Sequence, residues 1–528
     1  MMRHPSTPST TPTVMRQRVT DTTATPEMRF ARPGDGWGRV GQQLIDAAAT
    51  VADRPVRAPL PIGAPGEVLA RVAAELGSSD LPDAGIGERA ALNRMARIVH
   101  EYGLNLTHEL CAAHLQPPPL SVAVAADALA SATNASLDTY DSGPATLAVE
   151  TWAVQVLARL AGLPATSGGV FGPGGSYSNL LALLIARDQA GVGRGIDIRQ
   201  HGVGALRAPV VLCSAVAHFS IQRACAALGL GESAVVTVAC DEEHRMLPSA
   251  LAAALRASTE SSRTPIAVVA TAGTTDFGTA DPLPEIAAIA HDHGVWLHVD
   301  AAYGFGALFS DRLAGLLRGI EAADSITLDL HKVGWQPAAA SLLLLADAER
   351  FAPLDRSVAY LNPVDDLEAG FGGQLGLTLQ TTRRPDVLKV ATTLLAYGRG
   401  GLGEMLDACH DLARHAQARI EAEPQFELVS GATLTTVVFR YRCDDLDIDQ
   451  VNAELRRRLI SSGTALIGRT QVPLADGGGP RTCLKLTLLN PETSPADIGR
   501  LFDEIARVAL EVESEGLTPA LNAGVVHD

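Results

Sequence analysis

A chain of 528 residues, 47% of them hydrophobic and with a formal net charge of −17, holds enough apolar material for a sizeable core and is too long for one small domain. The acidic balance argues against nucleic-acid partners and anionic membrane surfaces, both of which require basic patches. The longest leucine run, SLLLLA at 341–346, is far below the roughly 18 apolar residues of a membrane span.

Residues 1–35 are rich in Ser, Thr and Pro and read as a disordered tail. They lack the apolar stretch of a secretory signal. From 36 to 100 the pattern is helical, with GWGRVGQQLIDAAATVAD and GEVLARVAAELG as amphipathic segments. Residues 101–395 alternate short β-branched runs with helical stretches. The runs are PVVLCSAVA, AVVTVAC, IAVVATA, VWLHVDA and SITLDL. That alternation predicts an α/β domain with a mostly parallel sheet covered on both faces. After 395 the strands FELVSG, TTVVFRYR and CLKLTLLN mix with helices, so 396–528 reads as a smaller α+β domain. Cys111, Cys213, Cys225, Cys240, Cys409, Cys443 and Cys483 show no CxxC spacing. The expectation is no metal site, no disulfide framework and a reducing cytoplasm.

In open α/β sheets, ligands sit beyond the carboxyl ends of the strands, so the residues just after each strand matter most. FGPGGSYSNLLALLIARD (171–188) places Gly175 and Ser176 at a helix start, where free backbone N–H groups can hold a phosphate. It is neither a P-loop nor a dinucleotide fingerprint. His218 follows PVVLCSAVA, and Asp300 follows VWLHV between apolar neighbours. SITLDL ends in His331 and Lys332, and a lysine is almost never buried unless it is paired or has chemistry to do. An anion cradle, an aromatic ring, an isolated carboxylate and a lysine together match pyridoxal 5′-phosphate. The lysine condenses with its aldehyde, the carboxylate keeps its ring nitrogen protonated, and the imidazole stacks on its ring.

FGPGGSYSNLLALLIARD, AHFSIQRACAALGLG, ATAGTTDFGTADPL, WLHVDAAYG and DLHK occur in this order over roughly residues 100–420. In that order the chain resembles the group II pyridoxal-phosphate-dependent decarboxylases, which include glutamate, aromatic-amino-acid and bacterial 2,4-diaminobutyrate decarboxylases. The resemblance implies the aspartate-aminotransferase-like fold (fold type I) and the release of CO2 and a primary amine from an L-amino acid. It implies Lys332 as the imine-forming lysine, Asp300 on the pyridine nitrogen, and His218 and Ala302 on the two ring faces. Thr271 lies near the ring hydroxyl, Gly175 and Ser176 on the phosphate with His331 close by, and Tyr360 on a mobile loop as proton donor. It also implies a homodimer with shared active sites, the N-terminal segment wrapping the second subunit.

ASLDTYDSGPATLAVE (135–150) and LQTTRRPDVLK (379–389) lean toward the diaminobutyrate branch, making a basic amino acid the first expected substrate. Arg383 and Arg384 there read either as carboxylate or phosphate clamps or as a surface helix start. Three positions depart from relatives. PGGSYSN stands where the diaminobutyrate branch usually has SGGTQSN, and VGWQP where it has paired aromatics. Asp329 stands where animal relatives have an asparagine near the phosphate, and an acid there repels phosphate unless it points away. The alternatives are another reaction on the same cofactor, namely decarboxylation with oxidative deamination, transamination or elimination, and a non-catalytic cofactor-binding protein.

Overall fold

The computed structural model describes residues 30–54, 58–356, 358–472 and 479–515. Residues 1–29 of the expected tail lie outside the described residues. The N-terminal segment forms three helices, α1 (Asp35–Ala49), α2 (Pro65–Leu76) and α3 (Glu88–Tyr102). Proline opens α2, where its missing N–H costs nothing. Neither α2 nor α3 buries a single residue, although Leu69, Leu76 and Val99 are apolar and exposed.

The chain then makes a two-residue strand, β1 (Cys111–Ala112), and the helices α4 (Ser121–Thr133) and α5 (Pro144–Leu160). Next come β2 (Gly168–Gly172) and helix α6 (Gly175–Val192). The apolar runs become β3 (Pro209–Ser214), β4 (Val235–Val238), β5 (Thr264–Thr271), β6 (Trp296–Asp300), β7 (Ser325–Asp329) and β8 (Ser341–Leu345). These seven strands pair in the order β2-β8-β7-β6-β5-β3-β4. Only β8 is reversed, so the other strands deliver their carboxyl ends to one edge.

Helices cover both faces, which is why these strands read as continuous apolar runs rather than alternating ones. All residues of β7 and β8 are buried. SLLLLA is thus an interior strand, and each of its leucines contributes about 1.5–3 kcal/mol by leaving water.

A second sheet is built from β9 (Phe426–Ser430), β10 (Thr436–Tyr441), β11 (Leu466–Val472) and β12 (Arg481–Thr487), in the order β1-β11-β12-β10-β9. Helices Ile448–Ser461 and Pro495–Glu515 pack on it around a separate core that includes Phe426, Phe439 and Phe502. The helical stretch Val387–Ala422 links the two units and breaks at Gly398, whose φ of 59° suits glycine. One finding departs from the sequence reading: Cys111 and Ala112 pair with Leu466 and Ile467. The smaller sheet therefore takes its edge strand from within the 101–395 segment. A two-residue strand carries no periodicity to read.

Candidate active site

β7 ends at Asp329, and the chain turns sharply through Lys332 to Trp335, which holds a left-handed φ of 53°. A bulky residue adopts that conformation only when its surroundings force it. Here the indole is buried, and its Nε1 donates to Leu489 O of the smaller unit at 2.8 Å. Trp335 thereby pins the lysine turn against the segment that follows the strand Arg481–Thr487. Lys332 Nζ lies 2.9 Å from Asp329 Oδ2, and His331 Nε2 lies 3.7 Å from the same oxygen.

Asp300, at the end of β6, is buried. Its Oδ1 accepts from Ala302 N at 3.1 Å and its Oδ2 from Asn179 Nδ2 at 2.8 Å. Two donors on its two oxygens fix the orientation of the carboxylate. His218 follows β3; its Nδ1 lies 2.9 Å from Ser220 Oγ and accepts Ser220 N–H at 3.2 Å. Burial lowers the His218 pKa, opposed chiefly by the nearby Asp300 charge. Thr271 closes β5 with its Oγ1 buried. Gly273 follows at a φ of 97°, its backbone so close to Gly304 that a Cβ would lie 2.6 Å from Gly304 N.

These strand ends converge on the start of α6, whose first N–H groups lack intrahelical acceptors, as at any helix start. Gly175, Ser176, His218, Thr271, Asp300, Ala302, His331 and Lys332 line one cavity of about 420 Å³. Eight of the nine predicted site residues are therefore brought together. The ninth, Tyr360, lies in a turn at the surface, 82% exposed and outside this cavity.

Asp329 does not point away. A Cβ at Gly175 would lie 2.8 Å from Asp329 Oδ2, so the carboxylate faces the start of α6 and holds Lys332. The Arg383–Arg384 pair is placed elsewhere. Arg383 is buried against Glu150 and Gln374 and donates to Phe171 O at 3.3 Å. Arg384 pairs with Asp127 at 2.8 Å and with Asp386. Both arginines are internal clamps, neither ligand contacts nor a free surface helix start. Arg383 O also accepts from Leu137 N, so the stretches 135–150 and 379–389 meet in space.

A second cavity shares His218, Thr275, His331 and Lys332 with the first and adds His114, Gln116, Gln336 and Lys485. These added residues were missed from sequence. Lys485 Nζ bonds Asp276 Oδ1 at 2.6 Å and Thr275 O at 3.3 Å, leaving one of its three donors for a ligand.

Among the described residues no His/Cys/Asp/Glu cluster could hold a metal, and no helix is long and apolar enough to cross a membrane. The first cavity fits pyridoxal 5′-phosphate on its own chemistry. Thr271 Oγ1 is a buried hydroxyl without a protein partner, ready for the ring hydroxyl. A glycine helix start, a doubly held carboxylate and a lysine complete the donor set. The fold and this cavity define a lysine-based pyridoxal-phosphate enzyme of the aspartate-aminotransferase type.

Residues 86–442 match the model of the pyridoxal-dependent decarboxylase conserved domain. L-2,4-diaminobutyrate decarboxylase of Rhizobium meliloti (strain 1021) is 42% identical over 443 residues, covering 83% of this chain and 86% of that protein. The Acinetobacter baumannii protein of the same name is 32% identical, with 83% and 86% covered. A solved structure of the glutamate decarboxylase domain of a Vibrio parahaemolyticus diaminobutyrate-pyruvate transaminase and L-2,4-diaminobutyrate decarboxylase superposes with a TM-score of 0.81 at 31% identity. It covers 92% of this chain and 100% of that one. The chain belongs to the pyridoxal-dependent decarboxylase family and is a pyridoxal-phosphate-dependent amino-acid decarboxylase.

Proposed function

We propose that the protein removes the α-carboxylate of L-2,4-diaminobutyrate as CO2 and releases the primary diamine. The observation that carries this reading is the convergence of Lys332, Asp300, His218 and the α6 start on one cavity, in a chain 42% identical to a protein of that name. Pyridoxal phosphate, when bound, supplies the electron sink for the carboxylate's bonding pair. In this reading Gly175 and Ser176 hold its phosphate, Asp300 keeps its ring nitrogen protonated, and Thr271 takes its ring hydroxyl. His218 and Ala302 pack on the two faces. Lys332 provides the attacking amine, and Asp329 receives that amine as an ammonium whenever it is free. Lys485 offers its remaining N–H to a substrate carboxylate in the adjoining cavity.

The test is a panel of L-amino acids incubated with the cofactor-loaded protein, with CO2 and amine read by mass spectrometry. Diaminobutyrate is expected to give CO2 and a diamine in equal amounts. An aldehyde with CO2 and ammonia as the main products would turn simple decarboxylation into decarboxylation with oxidative deamination, and a keto acid would replace decarboxylation by transamination or elimination. A decarboxylated product from an acidic or aromatic substrate only would overturn the substrate.

The functional unit in this reading is a homodimer in the cytoplasm, a compartment that suits seven free cysteines. The dimer is supported by α2 and α3, amphipathic helices without a buried residue, and by the exposed Leu44, Ile45, Leu69 and Val99. Tyr360, exposed on its own chain, acts as proton donor in the cavity of the second copy. The double variant Leu69→Asp, Val99→Asp is expected to sediment as a monomer and lose most of its turnover. A fully active monomer would refute the shared-site arrangement.

A further inference from the structure

Behind the cavity lies a buried chain of polar side chains whose hydrogen bonds can be assigned a direction. A carboxylate only accepts, so the Asn179 atom 2.8 Å from Asp300 Oδ2 is the amide nitrogen. The Asn179 atom 3.0 Å from His298 Nε2 is then the amide oxygen. That oxygen also only accepts, so His298 carries a proton on Nε2, with Thr327 Oγ1 a longer neighbour at 3.5 Å. Burial pulls the His298 pKa down to about 4, leaving the ring neutral near pH 7 and its Nδ1 bare. Nδ1 accepts from Ser325 Oγ at 2.8 Å, and Ser325 Oγ accepts from Trp296 Nε1 at 2.8 Å.

The second amide hydrogen of Asn179 goes to Ser220 Oγ at 2.9 Å. Ser220 therefore passes its own proton to His218 Nδ1 at 2.9 Å. The chain runs unbroken from the Trp296 indole to Asp300 on one branch and to His218 on the other. Asn179, itself almost fully buried, is the fork.

We propose that Asn179, backed by His298 and Ser325, is the positioning residue that sets both groups flanking the cofactor. It holds Asp300 as a fixed carboxylate, and through Ser220 Oγ it adds a second donor to the His218 Nδ1 that the Ser220 backbone N–H already keeps bare. This rests on the reading of the cavity as a pyridoxal-phosphate site. The physical gain is preorganisation: a buried carboxylate with both oxygens bound in place is held against rotation, aimed at where the ring nitrogen of a bound cofactor would lie. A bare Nδ1 that already accepts two bonds leaves Nε2–H as the only proton His218 can present. Sequence reading passes over both residues, because Asn179 sits within α6 and His298 within β6 as ordinary interior positions.

The test uses cofactor labelled with ¹⁵N in the pyridine ring, bound to the wild type, Asn179→Leu, His298→Leu and His298→Gln. The readouts are the nitrogen chemical shift, the cofactor dissociation constant and a thermal melt. Asn179→Leu is expected to move the nitrogen signal toward the unprotonated position and weaken cofactor binding about tenfold or more, the usual scale for lost outer-layer partners. His298→Leu should shift both readouts in the same direction by less. His298→Gln, which keeps a donor toward Asn179 and an acceptor toward Ser325, should return them toward wild type. If Asn179→Leu fails to fold, the His298 pair decides. A nitrogen signal and an affinity unmoved in Asn179→Leu, or identical in the two His298 variants, overturns the inference alone. A wild type that takes up no cofactor overturns it together with the reading of the site.

Discussion

Lys332→Ala is expected to lower kcat by at least ~10⁴-fold, the scale on which enzymes lose activity when a covalent nucleophile is removed. The loss has two separable parts. The amine itself disappears, so no group in the cavity can condense with the cofactor aldehyde. Asp329, buried and already lacking a partner on Oδ1, also loses the cation 2.9 Å from Oδ2. Breaking a buried pair from one side costs about 3–5 kcal/mol, with His331 at 3.7 Å as the remaining source of compensation. Lys332→Arg separates the two parts, because a guanidinium keeps the charge but cannot serve as the nucleophile. It should melt close to wild type and still be inactive, whereas Lys332→Ala should be inactive and melt lower. Turnover and a thermal melt on both variants check this. Decarboxylation by either variant within about tenfold of the wild-type rate would remove Lys332 from the chemistry.

What made this lysine visible in the sequence was its place at the end of a continuous apolar run. The same signal exposed His218 and Asp300, because strands covered on both faces read as uninterrupted β-branched stretches and mark their own ends. Other parts left no such trace. Asn179 and His298 act through hydrogen bonds between α6 and β6, and their neighbours in sequence give no hint of that pairing. Lys485 reaches the cavity from β12, more than 150 residues beyond Lys332 in the chain, so only the docking of the two units reveals it. Arg383 read as a possible ligand clamp because a paired arginine looks the same in sequence whether its carboxylate is a substrate or Glu150. Asp329 is legible as an acid near the phosphate cradle, but its 2.9 Å contact with Lys332 leaves no mark in the sequence. Tyr360 lies outside the cavity of its own chain, and its assignment depends on a second copy.

Asp300→Ala is expected to cut kcat by about 10²–10³-fold, corresponding to the roughly 2.7–4 kcal/mol carried by one preorganised electrostatic contact at a reacting centre. It should also weaken cofactor binding. Removing the carboxylate strips the acceptor from Asn179 Nδ2 and Ala302 N, and each buried donor left unpaired costs about 1–3 kcal/mol. Part of the effect would therefore appear as lost stability, and alanine alone cannot distinguish charge from packing. Asp300→Asn can, because it keeps the volume and removes the charge. Its amide can offer one oxygen to the two donors, while its NH2 must face the other. If the charge on Asp300 is what holds the ring nitrogen protonated, Asp300→Asn loses nearly as much kcat as Asp300→Ala while retaining more of the melting temperature. If instead Asp300 serves only to pack α6 against β6, Asp300→Asn turns over like wild type, and the electron sink must be sustained by some other group.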